Sequence, residues 1–335
     1  MKLKISKELT PASVLIAATI SLFTVATYGQ TSKPVLAVLN KAEATLVFID
    51  PVSMKVTGRV PTGDGPHEVV FSEDGKTAFV ANYGAQTPGT SLSVIDVASA
   101  KETRRVDVSP LMRPHGIQMI GGKLYFTAEV NRAIARYDPA SNKIDWLMGT
   151  GQNGSHMVVG SSDQRRFYTA NIGSDSVTAF TFQNVPPSGS MITQIPVGKQ
   201  PEAIDLSPDG KEVWVGLNTE GGIDVIDTST NKVVKRIDLG GRPYRVRFTR
   251  DGKFVVNPTW PTNELIIVDA GTKAITKRIK IEGVPFGIDF SKDGTYAFVT
   301  ALKPDKVYKV NLTTGTVEGS AETGNQPDGV AVWGI

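Results

Sequence analysis

Pro201-Glu202-Ala203-Ile204-Asp205-Leu206, Ser207-Pro208-Asp209-Gly210 and Glu212-Val213-Trp214-Val215-Gly216 follow one another with only Lys211 between the last two. The first string alternates in polarity, the last is β-branched and aromatic, and Ser-Pro-Asp-Gly between them is turn chemistry, so the three read as strand, turn and returning strand. Gly222-Ile223-Asp224-Val225-Ile226-Asp227 supplies a third strand, Thr228-Ser229-Thr230-Asn231 a second turn, and residues 232–239 a fourth strand. Four short strands in one unit is the composition of a propeller blade.

The same pattern spreads outward in both directions. The first turn recurs as Ser72-Glu73-Asp74-Gly75, Thr249-Arg250-Asp251-Gly252 and Ser291-Lys292-Asp293-Gly294. The end of the third strand recurs as Ile95-Asp96, Tyr137-Asp138, Val268-Asp269 and Val310-Asn311. These Asp and Asn residues are expected to bond their own turn backbone rather than to act as catalytic acids. The residue after the opening Pro or Ser of each unit falls at 67, 115, 156, 202, 244, 286 and 328, with spacings of 48, 41, 46, 42, 42 and 42. The last unit holds one strand before the chain ends, and the missing three are available at residues 35–39, 44–49 and 55–60. The expectation is an all-β, seven-bladed β-propeller over residues 30–335. Its last blade is closed by N-terminal strands and a C-terminal strand, which leaves no open sheet edge.

With 33 Gly, 20 Pro and no Cys in 335 residues, the chain is loop-rich, and disulfides, thiolate metal sites and Cys nucleophiles are excluded. Residues 1–29 read as a secretory leader. Lys2, Lys4 and Lys7 precede an apolar run over 14–26, and Thr27-Tyr28-Gly29 offers small residues for cleavage before Gln30. That run is shorter than the ~20 residues of a spanning helix. A periplasmic or secreted protein is expected, free of the membrane after cleavage and monomeric. Losing the leader lowers the formal charge from +3 to about +1, which argues against the broad basic footprint of a nucleic-acid binder.

The chain has three histidines, and His67, His115 and His156 all occupy the repeated position. In a closed ring they become neighbours on one rim, in the order Asp328, His67, His115, His156, Glu202, Tyr244, Phe286. A second set, about fifteen residues further on, is expected on the same face: Asn82, Glu129, Asn171, Leu217, Thr259, Ala301 and Asn40. Three imidazoles bounded by carboxylates suit a divalent transition metal, with copper, zinc or iron as candidates. They equally suit general-base chemistry in which Glu129 or Glu202 fixes a histidine tautomer. A third reading has the imidazoles bonding a neighbouring blade's backbone. It is opposed by the four blades that manage with Glu, Tyr, Phe and Asp.

Asn82, Asn171, Arg113, Arg242, Tyr244, Trp260 and Asp328 are the expected substrate-binding residues around this mouth, with Lys199 a further cation before a channel strand. Gln86-Thr87-Pro88-Gly89-Thr90 is placed as a flap over His67, and the insertion at 184–190 on the opposite face. The sequence contains no phosphate-cradling Gly-Lys-Ser/Thr loop, Gly-x-Ser-x-Gly elbow, His-Glu-x-x-His or dinucleotide fingerprint.

Ala78-Phe79-Val80-Ala81-Asn82, Phe167-Tyr168-Thr169-Ala170-Asn171 and Ser207-Pro208-Asp209-Gly210 resemble strings of the YVTN-repeat β-propellers, which include the exported YncE-like proteins and archaeal surface-layer propellers. The resemblance covers residues 34–335. It implies the fold and leaves function open, because such propellers include binding proteins, lyases and lactonases. The Pro-His-Gly strings also resemble those feeding copper-cluster ligands in the propeller of nitrous oxide reductase, as well as strings in virginiamycin B lyase-type propellers. That reductase has more histidines and a cupredoxin domain that this chain lacks, which leaves a single ion as the metal expectation. The leading expectation is thus an exported propeller holding one metal ion at the mouth for oxidation, hydrolysis or elimination of a small molecule. Two alternatives stand beside it: a scaffold for a protein, glycan or cell-surface partner, and single-stranded DNA binding as the resemblance to YncE-like propellers implies.

Overall fold

The computed structural model describes residues 33–184 and 188–335. The leader at residues 1–29 lies outside them, as do residues 185–187 of the insertion, which otherwise joins the third and fourth strands of its blade. Seven antiparallel sheets follow one another, each with four strand positions from the channel outward. Blades 1 to 6 span residues 66–107, 114–149, 155–196, 201–237, 242–280 and 284–322. Blade 7 joins residues 35–61 to the final strand Pro327–Trp333, which pairs with Val35–Asn40 through Leu36↔Val332, Ala37↔Ala331 and Val38↔Val330. The ring closes as the repeat requires.

The turn residues act locally, as their chemistry dictates. Asp96 accepts from Ser99, Asp227 from the backbone N–H groups of Ser229 and Thr230, Asp269 from Thr272, and Asn311 from Thr313 and Thr314. In the first turns, Asp74, Asp209 and Asp293 accept from Ser72, Ser207 and Ser291. Between blades, apolar residues of one sheet face those of the next. Trp214 and Phe248 meet edge-on at 5.5 Å, and Tyr125 and Phe167 lie tilted by 38° at 4.5 Å. Trp214, Tyr125 and Phe167 are fully buried.

Every inner strand carries one extra residue near its start. Pro66 pairs with Asn82 and Glu68 with Ala81, so His67 has no partner in the ladder. Ser155↔Asn171 followed by Met157↔Ala170 isolates His156, and Pro201↔Leu217 followed by Ala203↔Gly216 isolates Glu202. The other blades also carry one extra residue, two against one around His115, Phe286 and Asp328 and three against two around Tyr244. A bulge turns the extra side chain out of the pleat. Two residues upstream, Gly65, Arg113, Gly154, Gln200 and Gln326 hold left-handed backbone, which sets the entry into five of the bulges.

The bulges are tied across blades. Thr127, wholly buried, accepts from the Gly116 N–H and donates to the His156 carbonyl at 2.7 Å. Thr300 does the same between Gly287 and Asp328. A Cβ at Gly116 would stand 2.6 Å from the Met157 Cα, so only glycine admits this approach. Gly116→Ala is expected to lower the unfolding free energy by about 1–3 kcal/mol and to shift the His156 imidazole resonances. A urea midpoint and His156 resonances equal to wild type would show that the blades are not in contact there.

Candidate functional site

The three imidazoles meet at the mouth. Ring centroids of His67 and His115 lie 4.9 Å apart and those of His115 and His156 3.7 Å apart, the second pair tilted by 33°. His67 Nδ1 lies 2.7 Å from the Gly65 carbonyl. A carbonyl only accepts, so Nδ1 carries the proton and Nε2 keeps its lone pair. His156 Nδ1 donates to Glu129 Oε2 at 2.9 Å, and the Tyr83 hydroxyl donates to Glu129 Oε1 at 2.9 Å. His115 is only 2 % exposed, and its Nδ1 is buried with no hydrogen-bond partner.

Burial sets the charge states here. Desolvation, reinforced by the neighbouring imidazoles His156 and His67, holds the His115 pKa well below the ordinary histidine range. Desolvation also lowers that of His67, against the pull of Asp328. Burial pushes the Glu129 carboxyl up, but the bonds from His156 and Tyr83 outweigh it, and the net direction is down. The Tyr83 hydroxyl is pushed up to about 12 by burial and by Glu129. Glu129 is therefore an ionised acceptor beneath an imidazole, with a neutral phenol on its other oxygen.

The two catalytic candidates separate in space. Glu129 joins the imidazole arc, whereas Glu202 accepts from Asn218 within its own blade. Glu129 is not the counterpart of Asn82 and Asn171, as the fifteen-residue offset expects: Pro114 pairs with Ala128, and Glu129 follows it. The true counterpart of Glu129 in blade 1 is Tyr83, one residue past Asn82. Asn82 and Asn171 themselves are buried inside their blades, with amides taken up by Ser91 and Ser93 and by Ser176 and Thr178. They brace the strands and do not line the mouth.

The other candidates surround the arc. The Arg113 guanidinium lies 4.4 Å from the Tyr83 ring centroid, and its Nη2 donates to the Ala85 carbonyl. It thereby ties down the exposed tip of the Gln86 loop, most of which is strand from Pro88 onward. Arg242 covers the Trp260 ring at 4.3 Å, and Tyr244 and Phe286 stack at 4.3 Å, so the side facing the imidazoles is aromatic. Lys199 is occupied by Asp175. Asp328 is wholly buried, 3.2 Å from Lys41 Nζ, 3.3 Å from Arg245 Nη2 and 4.0 Å from His67 Nε2.

Sequence reasoning passed over Tyr83, Lys41, Arg245 and Glu68. Arg245 is 6 % exposed and reaches across the channel to Glu68 and Asp328. Together they floor the mouth. The available signal was a charged residue directly after the bulge in two blades, at Glu68 and Arg245, where the other five carry Gly, Met or Ala.

Two imidazoles sharing one ion at about 2.0–2.1 Å per nitrogen and ligand angles of about 90–110° hold their ring centroids roughly 4.5–5.3 Å apart. The His67 and His115 rings meet that condition, and the stacked His115 and His156 rings do not. Among the described residues no three His, Cys, Asp or Glu side chains converge as metal ligands.

The family described as YNCE-like beta-propeller matches residues 5–334. No curated protein matches the chain. Among solved structures, hydrazine synthase from Kuenenia stuttgartiensis is 18% identical over 83% of this chain and 92% of that one, with a TM-score of 0.70. A functionally unknown protein from Desulfotomaculum acetoxidans is 13% identical over 89% and 98%, with a TM-score of 0.75. The dihydro-heme d1 dehydrogenase NirN is 15% identical over 89% and 74%, with a TM-score of 0.62. At these identities the likeness concerns the fold, and the differing names show how little the fold says of chemistry.

Proposed function

The chain belongs to the YNCE-like β-propeller family, and from the mouth built on that scaffold we propose that it binds a small molecule over the imidazole arc and exchanges a proton with it through His156. The observation that carries this is the 2.9 Å bond from His156 Nδ1 to Glu129. A carboxylate on one ring nitrogen fixes the tautomer, leaves Nε2 as the base and stabilises the imidazolium once it forms. Tyr83 holds the carboxylate in place. Neutral His67 and His115 offer further hydrogen-bonding positions, and Tyr244, Phe286 and Trp260 provide an apolar wall for the rest of the ligand. The reaction class is hydrolysis or elimination, in which His156 takes a proton from water or from carbon and returns it to the leaving group. The basic and apolar leader supports export.

The test is hydrolysis of p-nitrophenyl acetate and of a simple δ-lactone by wild type, Glu129→Gln and His156→Gln. Both substitutions are expected to lower the rate by roughly 10²; three equal rates would overturn the proposal. A second reading, one metal ion on His67, His115 and His156, is favoured by a specific observation: two rings are anchored through Nδ1 in the manner of metal ligands, and the third has a buried nitrogen without a partner. It requires one of the stacked rings to turn. A stoichiometric ion present in wild type and lost from the triple His→Ala variant would establish it, and negligible metal in both would remove it.

A further inference from the structure

Below the floor made by Arg245 and Glu68, the channel continues as a cavity of about 330 Å³ that reaches the lower ends of the inner strands at Ser72 and Trp333. Its polar wall follows a rule of the fold. The third residue after the bulge points to the axis, and in three blades it is an acceptor that takes a backbone N–H of the next blade. Gln118 accepts from Gly160 at 2.7 Å, Asp205 from Phe248 at 2.8 Å, and Asp289 from Val332 at 2.8 Å. Blade 5 breaks the rule by placing Arg247 there.

Arg247 has no acceptor of its own. Its Nε is buried without a hydrogen-bond partner. The nearest carboxylate oxygens, Asp205 Oδ2 at 3.8 Å from Nε and Asp289 Oδ1 at 3.6 Å from Nη2, stand beyond hydrogen-bond length. A guanidinium has five N–H donors; here Nε is buried and unpaired while the side chain as a whole remains 43 % accessible, so the group presents open donors to a molecule in the cavity. The carboxylate of Asp289 is in the same condition on one side: Oδ2 is taken by Val332, and Oδ1 faces the guanidinium across a gap.

We propose that this cavity is a second binding site, separate from the mouth, for a neutral, hydroxyl-rich small molecule of monosaccharide or cyclic-polyol size. A hydroxyl both donates and accepts, so it can sit between Arg247 and Asp289 and satisfy the two at once. An anion would gain Arg247 but meet the charges of Asp205 and Asp289, and a cation would gain the carboxylates but meet Arg247. The facing wall, with Val70, Val159, Ile288 and Ala331, is apolar and matches the C–H face of a saturated ring. The volume lies at the lower end of the range for small-molecule sites.

Met119 and Met157 line the cavity, and their methyl groups report on it in the unaltered protein. Wild type carrying ¹³C-methyl methionine is titrated with D-glucose, D-galactose and myo-inositol, and separately with acetate and with phosphate. The expected result is millimolar binding of at least one polyol, with shifts at Met119 and Met157 and none at the three imidazoles. Arg247→Met is expected to weaken that binding about tenfold or more, with Arg247→Lys between the two. Absence of methyl shifts with every polyol, shifts with acetate or phosphate alone, shifts confined to the imidazoles, or equal affinity in Arg247→Met would each overturn the proposal. The wild-type titration decides the matter even where the variant does not fold.

Discussion

Replacing Arg245 by Met is expected to lower the unfolding free energy at pH 7 by about 3–5 kcal/mol. Arg245 is buried between Glu68 and Asp328, themselves little exposed, and among the described residues is the one cation that pairs with both. Removing it leaves two carboxylates in a low-dielectric channel, where Lys41 touches only Asp328. Burial already raises the Glu68 pKa, and the arginine opposes that rise. A carboxyl whose pKa is higher in the folded state contributes stability that is present below its unfolded value and lost as pH rises through the folded one. The variant's deficit is therefore largest near neutral pH and shrinks toward pH 4. Glu68→Gln in the same chain is expected to recover part of the loss, since it removes one unpaired charge. Urea unfolding of the single and double variants at both pH values measures these quantities. A loss below about 1 kcal/mol would mean that the channel floor is as wet as a protein surface.

His115→Leu is expected to be close to wild type in stability at pH 8 and more stable than wild type in mild acid. The His115 imidazole is held neutral, with a pKa well below its ordinary 6.5. An unfolded chain protonates it near 6.5, so its contribution is complete above that pH and is lost as pH falls toward the folded value. The slope is roughly 1.4 kcal/mol per pH unit for each imidazole kept neutral. At pH 5.5 the variant should therefore exceed wild type by roughly 1–1.5 kcal/mol relative to their difference at pH 8. His67, also lowered, adds to the acid sensitivity of both proteins. Parallel stability curves for the two proteins between pH 8 and 5.5 would contradict a neutral, buried His115.

The ring and its closure were legible because each unit repeats the same turn chemistry, and a turn residue acts within a few positions of itself. The location of the imidazole arc followed from register alone. What misplaced Glu129 was a single hairpin: blade 2 turns at Gly121-Gly122, both left-handed, with Ile120 paired to Lys123. That two-residue turn is the tight hairpin form, and it brings the partner of Pro114 two residues nearer than that of Pro66, so Ala128 occupies the braced place and Glu129 the one that faces the imidazoles. Arg245 was illegible for a different reason. Its partner Glu68 lies 177 residues away, and only the diameter of the closed ring decides whether a side chain can span it. Burial of Asn82 was likewise hidden, because a residue at a strand end faces the mouth or the blade interior according to one step of register.

The bulge at the head of each inner strand has a consequence for how such a molecule acquires new chemistry. A residue outside the ladder contributes little to the sheet, so its side chain can be exchanged with small effect on folding. Seven such places stand around one opening, and here they carry His67, His115, His156, Glu202, Tyr244, Phe286 and Asp328. The ring thus behaves as a set of sockets on a rigid frame, each open to refitting by one substitution while the frame stays the same, except the place of Asp328, which is tied to the buried Arg245.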